Sequence, residues 1–226
     1  MISLTTMEKE YLEDILDHLE ARSIAKFPKE SLLLIINEKV VDKITDLLSE
    51  VKTLMESTYS NKHAFALGCQ MFFRYIVLSE VKKTNSTKLK TWILTAMALA
   101  SKFNDLWICY HVEDLKNRWK VNYVPFEKKF WSTLKYDMLE PTILELMDGY
   151  KTRLEGLGFY CKESTLKELE AICISMVTNC RLMLKYDVAS LCRSCMYNKY
   201  HQREGVNLPF EIERKEYKDI VLNIDV

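Results

Sequence analysis

The chain has 226 residues, 48% of them hydrophobic, which is enough for one large core or two smaller helical repeats. Its 32 basic and 32 acidic residues give zero net charge, so no global field favours nucleic acid. The 5 glycines form no phosphate-binding loop, no apolar run reaches the roughly 18 residues that span a bilayer, and the N-terminus lacks a secretory pattern. We therefore expect a soluble, intracellular protein that is not an enzyme and binds neither nucleic acid nor membrane.

The N-terminal half is predicted to be helical. Residues 1–28 form an N-terminal helix, which a Thr5-x-x-Glu8 capping pattern opens and Pro28 ends. Apolar stripes at helical spacing predict two further helices, over residues 29–57 and 61–78.

The segment from Trp92 to Ala100 differs from these helices because it is apolar on almost every side. A helix without a polar face is buried all round. Its three alanines let neighbouring helices approach closely. We therefore expect a central helix surrounded by others rather than an up-down bundle in which every helix is half exposed.

The C-terminal half also reads as helical. A short helix is predicted over Val112–Trp119, and Pro125 fits the first turn of the next helix, whose apolar face contains Phe126, Phe130, Trp131 and Leu134. Three more helices are predicted after Pro141: Ile143–Leu154, Leu166–Leu184 and Val188–Tyr200. In the tail, residues 210–226, apolar and polar residues alternate only weakly, so a strand, a short helix and disorder all remain open.

Metal and redox chemistry find little support in the sequence. The number of cysteines is odd, and most lie in apolar helical stretches, as buried free thiols do. Cys192 and Cys195 form a CxxC pair, but zinc takes four ligands, and His201 is the only further ligand nearby. The four histidines are scattered outside any nucleophile motif. We expect no metal, no cofactor and no catalytic residues. The seven cysteines are Cys69, Cys109, Cys161, Cys173, Cys180, Cys192 and Cys195.

Three motifs occur in order between Ala64 and Met147. The aliphatic run 63–79 contains Arg74-Tyr75-Ile76. The apolar helix ends in Ala98-Leu-Ala-Ser-Lys-Phe-Asn-Asp105. The third motif runs from Phe126-Glu127 to Leu134-Lys-Tyr-Asp137 and is followed by Pro141-Thr142. Together they resemble the second, third and fifth helices of a cyclin box.

The resemblance implies an all-α fold in which a five-helix cyclin box occupies residues 29–140 around a central buried helix. The N-terminal helix (1–28) precedes the box, and an incomplete second helical repeat (141–209) and a tail (210–226) follow it. Cell-cycle cyclins carry an aspartate at the position of Phe73, and their Met-Arg-x-x-Leu motif has no clear counterpart here. A short, divergent cyclin of the P or U type, or a protozoan or viral cyclin, fits better.

The resemblance also implies a function. Such a chain binds and activates a cyclin-dependent Ser/Thr protein kinase in the cytoplasm and nucleus, and so controls the cell cycle or cell division. The family's kinase-contacting lysine and glutamate correspond to Lys102 and Glu127. The alternative explanation is that both charges only compensate helix ends, at about 0.3–1 kcal/mol each. The full set of expected kinase-binding residues is Lys102, Glu127, Phe103, Asp105, Trp107 and Phe126.

Two rival functions remain open at this point. A cyclin-fold adaptor binds a transcription factor or DNA without a kinase partner, and a strongly basic face would favour it. An unrelated helical scaffold is the other rival. Co-purification of a Ser/Thr kinase distinguishes the three.

Overall fold

A computed structural model of the chain describes residues 14–22, 37–56, 61–79, 84–104, 109–137, 141–160, 162–201 and 214–222. All regular structure in these ranges is helical, which confirms the all-α class. The Thr5–Glu8 capping pattern lies outside them. The helices are residues 14–22 (α1), Glu38–Glu56 (α2), Lys62–Leu78 (α3), Ser86–Asn104 (α4), Cys109–Trp119 (α5), Glu127–Thr133 (α6), Ile143–Gly156 (α7), Glu163–Thr178 (α8), Cys180–Lys185 (α9), Val188–Met196 (α10) and Arg214–Leu222 (α11).

Two short irregular turns accompany these helices. A 3-10 turn, Val124–Phe126, leads into α6, and a π-helical turn, Tyr197–His201, follows α10. The described part of the tail forms a short helix, α11, which is one of the three alternatives that the sequence leaves open. In the described part of the chain, no helix is long and apolar enough to cross a membrane.

Contacts group the chain into two units. The α4 unit comprises Pro28–Leu139 and Val177–Lys185, and the α10 unit comprises Met1–Phe27, Glu140–Met176 and Tyr186–Val226.

In the α4 unit, α4 packs against α2, α3, α5, α6 and the 3-10 turn. The side chains from Trp92 to Ala100 are at most 8% exposed, so the predicted burial of this segment is confirmed. At Gly68 of α3, an added Cβ would lie 2.6 Å from Met97 Sδ and 3.3 Å from Met97 Cα. The backbones of α3 and α4 therefore approach more closely than a larger residue at this position would allow.

One predicted helix is divided in the structure. The pattern from Leu166 to Leu184 predicts a single helix, but α8 ends at Thr178 and α9 begins at Cys180. Asn179 Oδ1 accepts hydrogen bonds from the backbone N–H groups of Arg181 (3.1 Å) and Leu182 (3.2 Å). The Asn179 side chain thus caps the N-terminus of α9 and ends α8. Because the apolar pattern continues through this break, periodicity alone does not reveal it.

Two helices of the α10 unit, α7 and α10, begin with side-chain caps. Thr142 and Glu145 form a capping box at α7: Thr142 N donates to Glu145 Oε2 at 2.6 Å, and Glu145 N donates to Thr142 Oγ1 at 3.2 Å. Asp187 caps α10 by accepting from Ser190 N at 2.8 Å. In α1, Leu16 is buried and packs against Gly149 of α7. Helix α10 packs against α7, α11 and the π-helical turn.

Candidate partner-binding surface

The C-terminal end of α4 leaves the core within three residues. Ala100 and Ser101 are buried, and Ser101 Oγ donates to Met97 O at 2.7 Å. The next side chain, Lys102, is 48% exposed, and Phe103 is 55% exposed. The buried helix therefore presents a cation and an aromatic ring to solvent at its end.

Glu127, the first residue of α6, meets this end of α4. Pro125 lies in the 3-10 turn, and Phe126 N donates to Tyr123 O at 2.9 Å, which fixes the start of α6. Lys102 Nζ donates to both Glu127 Oε1 and Oε2 at 2.7 Å. The expectation that these two residues share one surface is confirmed. The carboxylate side chain is 23% exposed, and an exposed pair of this kind contributes about 0–1 kcal/mol to folding.

Three aromatic side chains continue this surface. Phe103 and Trp131 contact edge to face with ring centroids 5.4 Å apart, and Trp131 and Tyr136 do so at 5.9 Å. Trp131 is four residues after Glu127, so both lie on one face of α6. We call Phe103, Trp131 and Tyr136 the aromatic ladder, and the ladder with the Lys102–Glu127 pair the α4–α6 rim.

The turn after α6 holds the outer end of the ladder. Lys135 (φ 55°) and Tyr136 (φ 57°) both have left-handed backbones, which cost a side-chain-bearing residue about 1–2 kcal/mol each. Arg74 of α3 stabilises this turn, since its Nη1 donates to Asp137 O at 2.6 Å and its Nη2 lies 3.5 Å from Asp137 Oδ2. Beneath the turn Leu134 is buried, while Tyr136 is 62% exposed. The fold therefore holds Lys135 and Tyr136 in an unfavourable left-handed conformation, and the Tyr136 side chain stays exposed to solvent.

The apolar face expected for the Pro125 helix is split by the structure. Phe130 and Leu134 are buried, and the Phe130 ring stacks on Tyr75 at 4.3 Å. Phe126 is 38% exposed, and Trp131 is half-buried on the rim. The apolar pattern does not separate the buried side chains of this face from the exposed ones, because a seven-residue helix offers one narrow stripe to α3 and α4 and its other faces meet solvent.

The structure brings together some of the expected kinase-binding residues and places two further aromatic side chains, Trp131 and Tyr136, beside them. Lys102, Glu127 and Phe103 are contiguous, and Phe126 lies exposed at the N-cap of α6 beside Val124. Asp105 and Trp107 lie outside the described residues. The sequence analysis did not place Trp131 and Tyr136 at this surface. The four-residue spacing of Trp131 from Glu127 was a usable signal, because it puts both residues on one face of α6. The exposure of Tyr136 depends on the left-handed backbone of the turn, which the sequence pattern does not show.

Comparison with known proteins does not assign the chain to a family. No protein-family model matches the chain, and a search of curated proteins finds no match.

Proposed function

We propose that this chain is a cyclin-like regulatory subunit that binds and activates a Ser/Thr protein kinase, with the α4–α6 rim as its kinase-binding surface. The observation that carries the proposal is the exposed, two-pronged ion pair between Lys102 and Glu127, which joins the end of a buried helix to the start of another. These are the two positions that resemble the family's kinase contacts.

The energetics of the rim favour a partner over a purely structural role. An exposed ion pair adds little to stability, and the exposed rings of Phe103 and Tyr136 bury little apolar area within the chain. The turn that presents Tyr136 costs backbone free energy. Aromatic anchors beside charged donors and acceptors are typical of interface hot spots, which become favourable once a partner excludes water.

The chemistry of the pair suits main-chain groups of a partner. An ammonium carries three N–H donors, and Glu127 occupies two of those of Lys102. A carboxylate accepts several hydrogen bonds, so Glu127 can also accept from a partner's backbone N–H. The aromatic ladder beside the pair fits the apolar face of a helix. A helix with exposed terminal backbone groups and an apolar stripe is the element that this rim would bind.

Activation follows from a population shift. The kinase samples active and inactive arrangements, and a subunit that binds only the active one shifts the equilibrium by its differential affinity. A preference of about 5.5 kcal/mol moves a ratio of 1:99 to 99:1. The kinase performs the phosphoryl transfer, and the rim supplies only binding free energy.

One departure from cell-cycle cyclins has a structural counterpart here. The position of their aspartate holds Phe73, which is fully buried against Phe72 at 5.3 Å. Arg74 reaches the Leu134–Asp137 turn instead. The arginine of the second-helix motif thus supports the rim, which is compatible with a divergent member of the family.

The test is recovery of the full chain from its own cells under native conditions, with an unrelated helical protein as the control bait. We expect a Ser/Thr kinase to elute with the chain alone. Removing the chain from that kinase should abolish most of its activity on a peptide substrate, and adding the purified chain back should restore it. A chain that recovers a transcription factor or DNA and no kinase would establish the adaptor alternative and refute the proposal.

A further inference from the structure

The charges around the α4–α6 rim are mainly positive. Helices α4 and α6, with the turn that follows α6 (residues 134–137), contain six lysines but only two acidic residues, Glu127 and Asp137. Both carboxylates are already in ion pairs, Glu127 with Lys102 at 2.7 Å and Asp137 with Arg74 at 3.5 Å. Although the whole chain has zero net charge, this part of its surface therefore carries an excess of cations.

Two of these lysines lie beside the aromatic ladder. Lys128 precedes Trp131 by three residues, so both lie on one face of α6. Lys135 directly precedes Tyr136 in the left-handed turn. Both lysine side chains are exposed, and neither forms an ion pair within the described residues. We call Lys128 and Lys135 the flanking lysines. The rim thus presents an apolar strip with a lysine next to two of its rings.

An acidic peptide helix fits this surface better than a nucleic acid does. The ladder rings meet edge to face, at 68° between Phe103 and Trp131 and at 61° between Trp131 and Tyr136, so they cover part of each other. Single-stranded nucleic acids instead stack their bases on open ring faces. Strong binding to a phosphate backbone also draws on about six to ten cation contacts, whereas the ladder has two flanking lysines.

Carboxylates on a helix complement the flanking lysines directly. On a helix whose apolar stripe rests on the ladder, the positions at the edges of that stripe lie nearest to the surrounding rim. Aspartate or glutamate at these edge positions would pair with Lys128 and Lys135. Lysine or arginine there would meet like charge, which suppresses binding of the wrong partner. The charge of the rim therefore selects the sign of the charge on the helix.

We propose that the α4–α6 rim binds an acidic amphipathic helix, with its apolar stripe on the aromatic ladder and its carboxylates paired with the flanking lysines. Under the proposed function, on which this proposal rests, the helix belongs to the kinase. What is new is the sign of the charge on that helix. The Lys102–Glu127 pair does not determine this sign, because its two charges cancel.

Two synthetic peptides of about 20 residues, long enough to form helices, test the proposal on the folded full chain. Both have the same leucine stripe, and the positions beside the stripe are glutamate in one peptide and lysine in the other. Fluorescence anisotropy measures the affinity of each. We expect the chain to bind the glutamate peptide at least about tenfold more tightly than the lysine peptide. Added salt should reduce this preference, because it screens exposed ion pairs.

The test variant is Lys128→Glu with Lys135→Glu. The matched control is Lys88→Glu with Lys129→Glu, which changes the net charge equally at exposed positions. Lys129 lies two residues after Glu127 and therefore on a different face of α6, and Lys88 lies in the first turn of α4. Glutamate is favoured near a helix N-terminus, so the changes within the helices should not weaken them, and circular dichroism verifies that both variants fold.

We expect the test variant to bind the glutamate peptide at least about tenfold more weakly than the wild type, and the lysine peptide more tightly. The control variant should match the wild type with both peptides. Equal affinity of the wild type for the two peptides, or an equal loss of glutamate-peptide binding in both variants, would overturn the proposal. Tighter binding of a single-stranded DNA oligonucleotide than of the glutamate peptide would also overturn it.

Kinase capture by the same two variants distinguishes failure of this proposal from failure of the proposed function. A kinase that elutes equally with both variants would leave the regulatory role in place and overturn the acidic helix. A chain that binds the glutamate peptide through the flanking lysines but recovers no kinase would support the acidic helix as partner and refute the proposed function.

Discussion

The middle of α4 and its C-terminal end differ sharply, although only five residues lie between Ala96 and Lys102. Ala96 and Leu94 are completely buried, whereas Phe103 is 55% exposed beside the Lys102–Glu127 pair. In the middle of α4, small and aliphatic side chains are packed away from water, and this burial of apolar surface stabilises the fold. At the end, a large ring and a charge remain in solvent, where they contribute little to folding. One helix thus lies at the centre of the core of the α4 unit and also carries, at its end, residues of the proposed kinase-binding surface.

The largest effect is expected at the buried middle. Ala96→Asp places a carboxylate among apolar side chains, where an unpaired charge costs several kcal/mol. We expect the α4 unit to lose its helical circular dichroism signal. Lys88→Asp, at an exposed position in the first turn of α4, is the control and should leave the signal intact. A stable, native-like Ala96→Asp protein would contradict the burial of this segment.

A smaller effect is expected where α3 meets α4. Gly68→Ala adds a methyl 2.6 Å from Met97 Sδ and 3.3 Å from its Cα. Overpacking of this kind costs about 1–3 kcal/mol, which urea unfolding would measure as a lower transition midpoint. Leu78→Ala, at an exposed position on the same helix, should change stability by less than about 0.5 kcal/mol. Equal midpoints for both variants would argue against the close approach.

The exposed end is tested by two tyrosines that are both 62% exposed. Tyr136 belongs to the aromatic ladder, and Tyr160 lies in the α10 unit away from any rim residue in sequence. We expect Tyr136→Ala to weaken kinase capture by about tenfold, or about 1.4 kcal/mol. Tyr160→Ala should leave capture unchanged, and neither variant should shift the melting temperature appreciably. Equal capture by both would remove Tyr136 from the binding surface.

The smallest effect concerns the turn that supports Tyr136. Lys135→Gly removes a left-handed side-chain cost of about 1–2 kcal/mol and adds about 0.5–1 kcal/mol of unfolded-chain entropy. We expect a gain in unfolding free energy of up to about 1 kcal/mol. Lys128→Gly, at an exposed position within α6, should instead lose about 1 kcal/mol. The opposite signs make this pair a sensitive check by urea unfolding, and a loss at Lys135→Gly would contradict the left-handed conformation.

Sequence reasoning was most successful where a pattern reports burial directly. The all-apolar run from Trp92 to Ala100 predicts a buried helix because no polar face is available to meet solvent. The meeting of Lys102 and Glu127 was also predicted, although only through the resemblance of their motifs. Periodicity alone does not determine which helix ends converge.

The remaining features depend on tertiary structure that periodicity does not encode. The apolar pattern of the Pro125 helix does not separate the buried Phe130 from the half-buried Trp131, because apolarity alone does not distinguish a buried ring from an exposed one. Tyr136 depends on a turn that Arg74 stabilises from 63 residues away in sequence. Likewise, the break between α8 and α9 depends on the side chain of Asn179, which caps α9.

The most direct test of the α4–α6 rim as a kinase-binding surface is the double reversal Lys102→Glu with Glu127→Lys. The swapped pair can re-form, so the folding cost is limited to the two helix dipoles, about 1 kcal/mol per site. A control reverses the pair on α5, Glu113→Lys with Lys116→Glu, which is joined at 2.8 Å and similarly exposed.

Kinase capture and melting temperature should be measured on both double variants and the wild type in parallel. Each charged hydrogen bond lost from a desolvated interface costs about 2–5 kcal/mol, so we expect the rim variant to lose at least about tenfold in capture. Its melting temperature should barely move, and the α5 control should match the wild type in both measurements. Kinase recovery at wild-type yield by the rim variant would contradict the assignment of Lys102 and Glu127 as the contact.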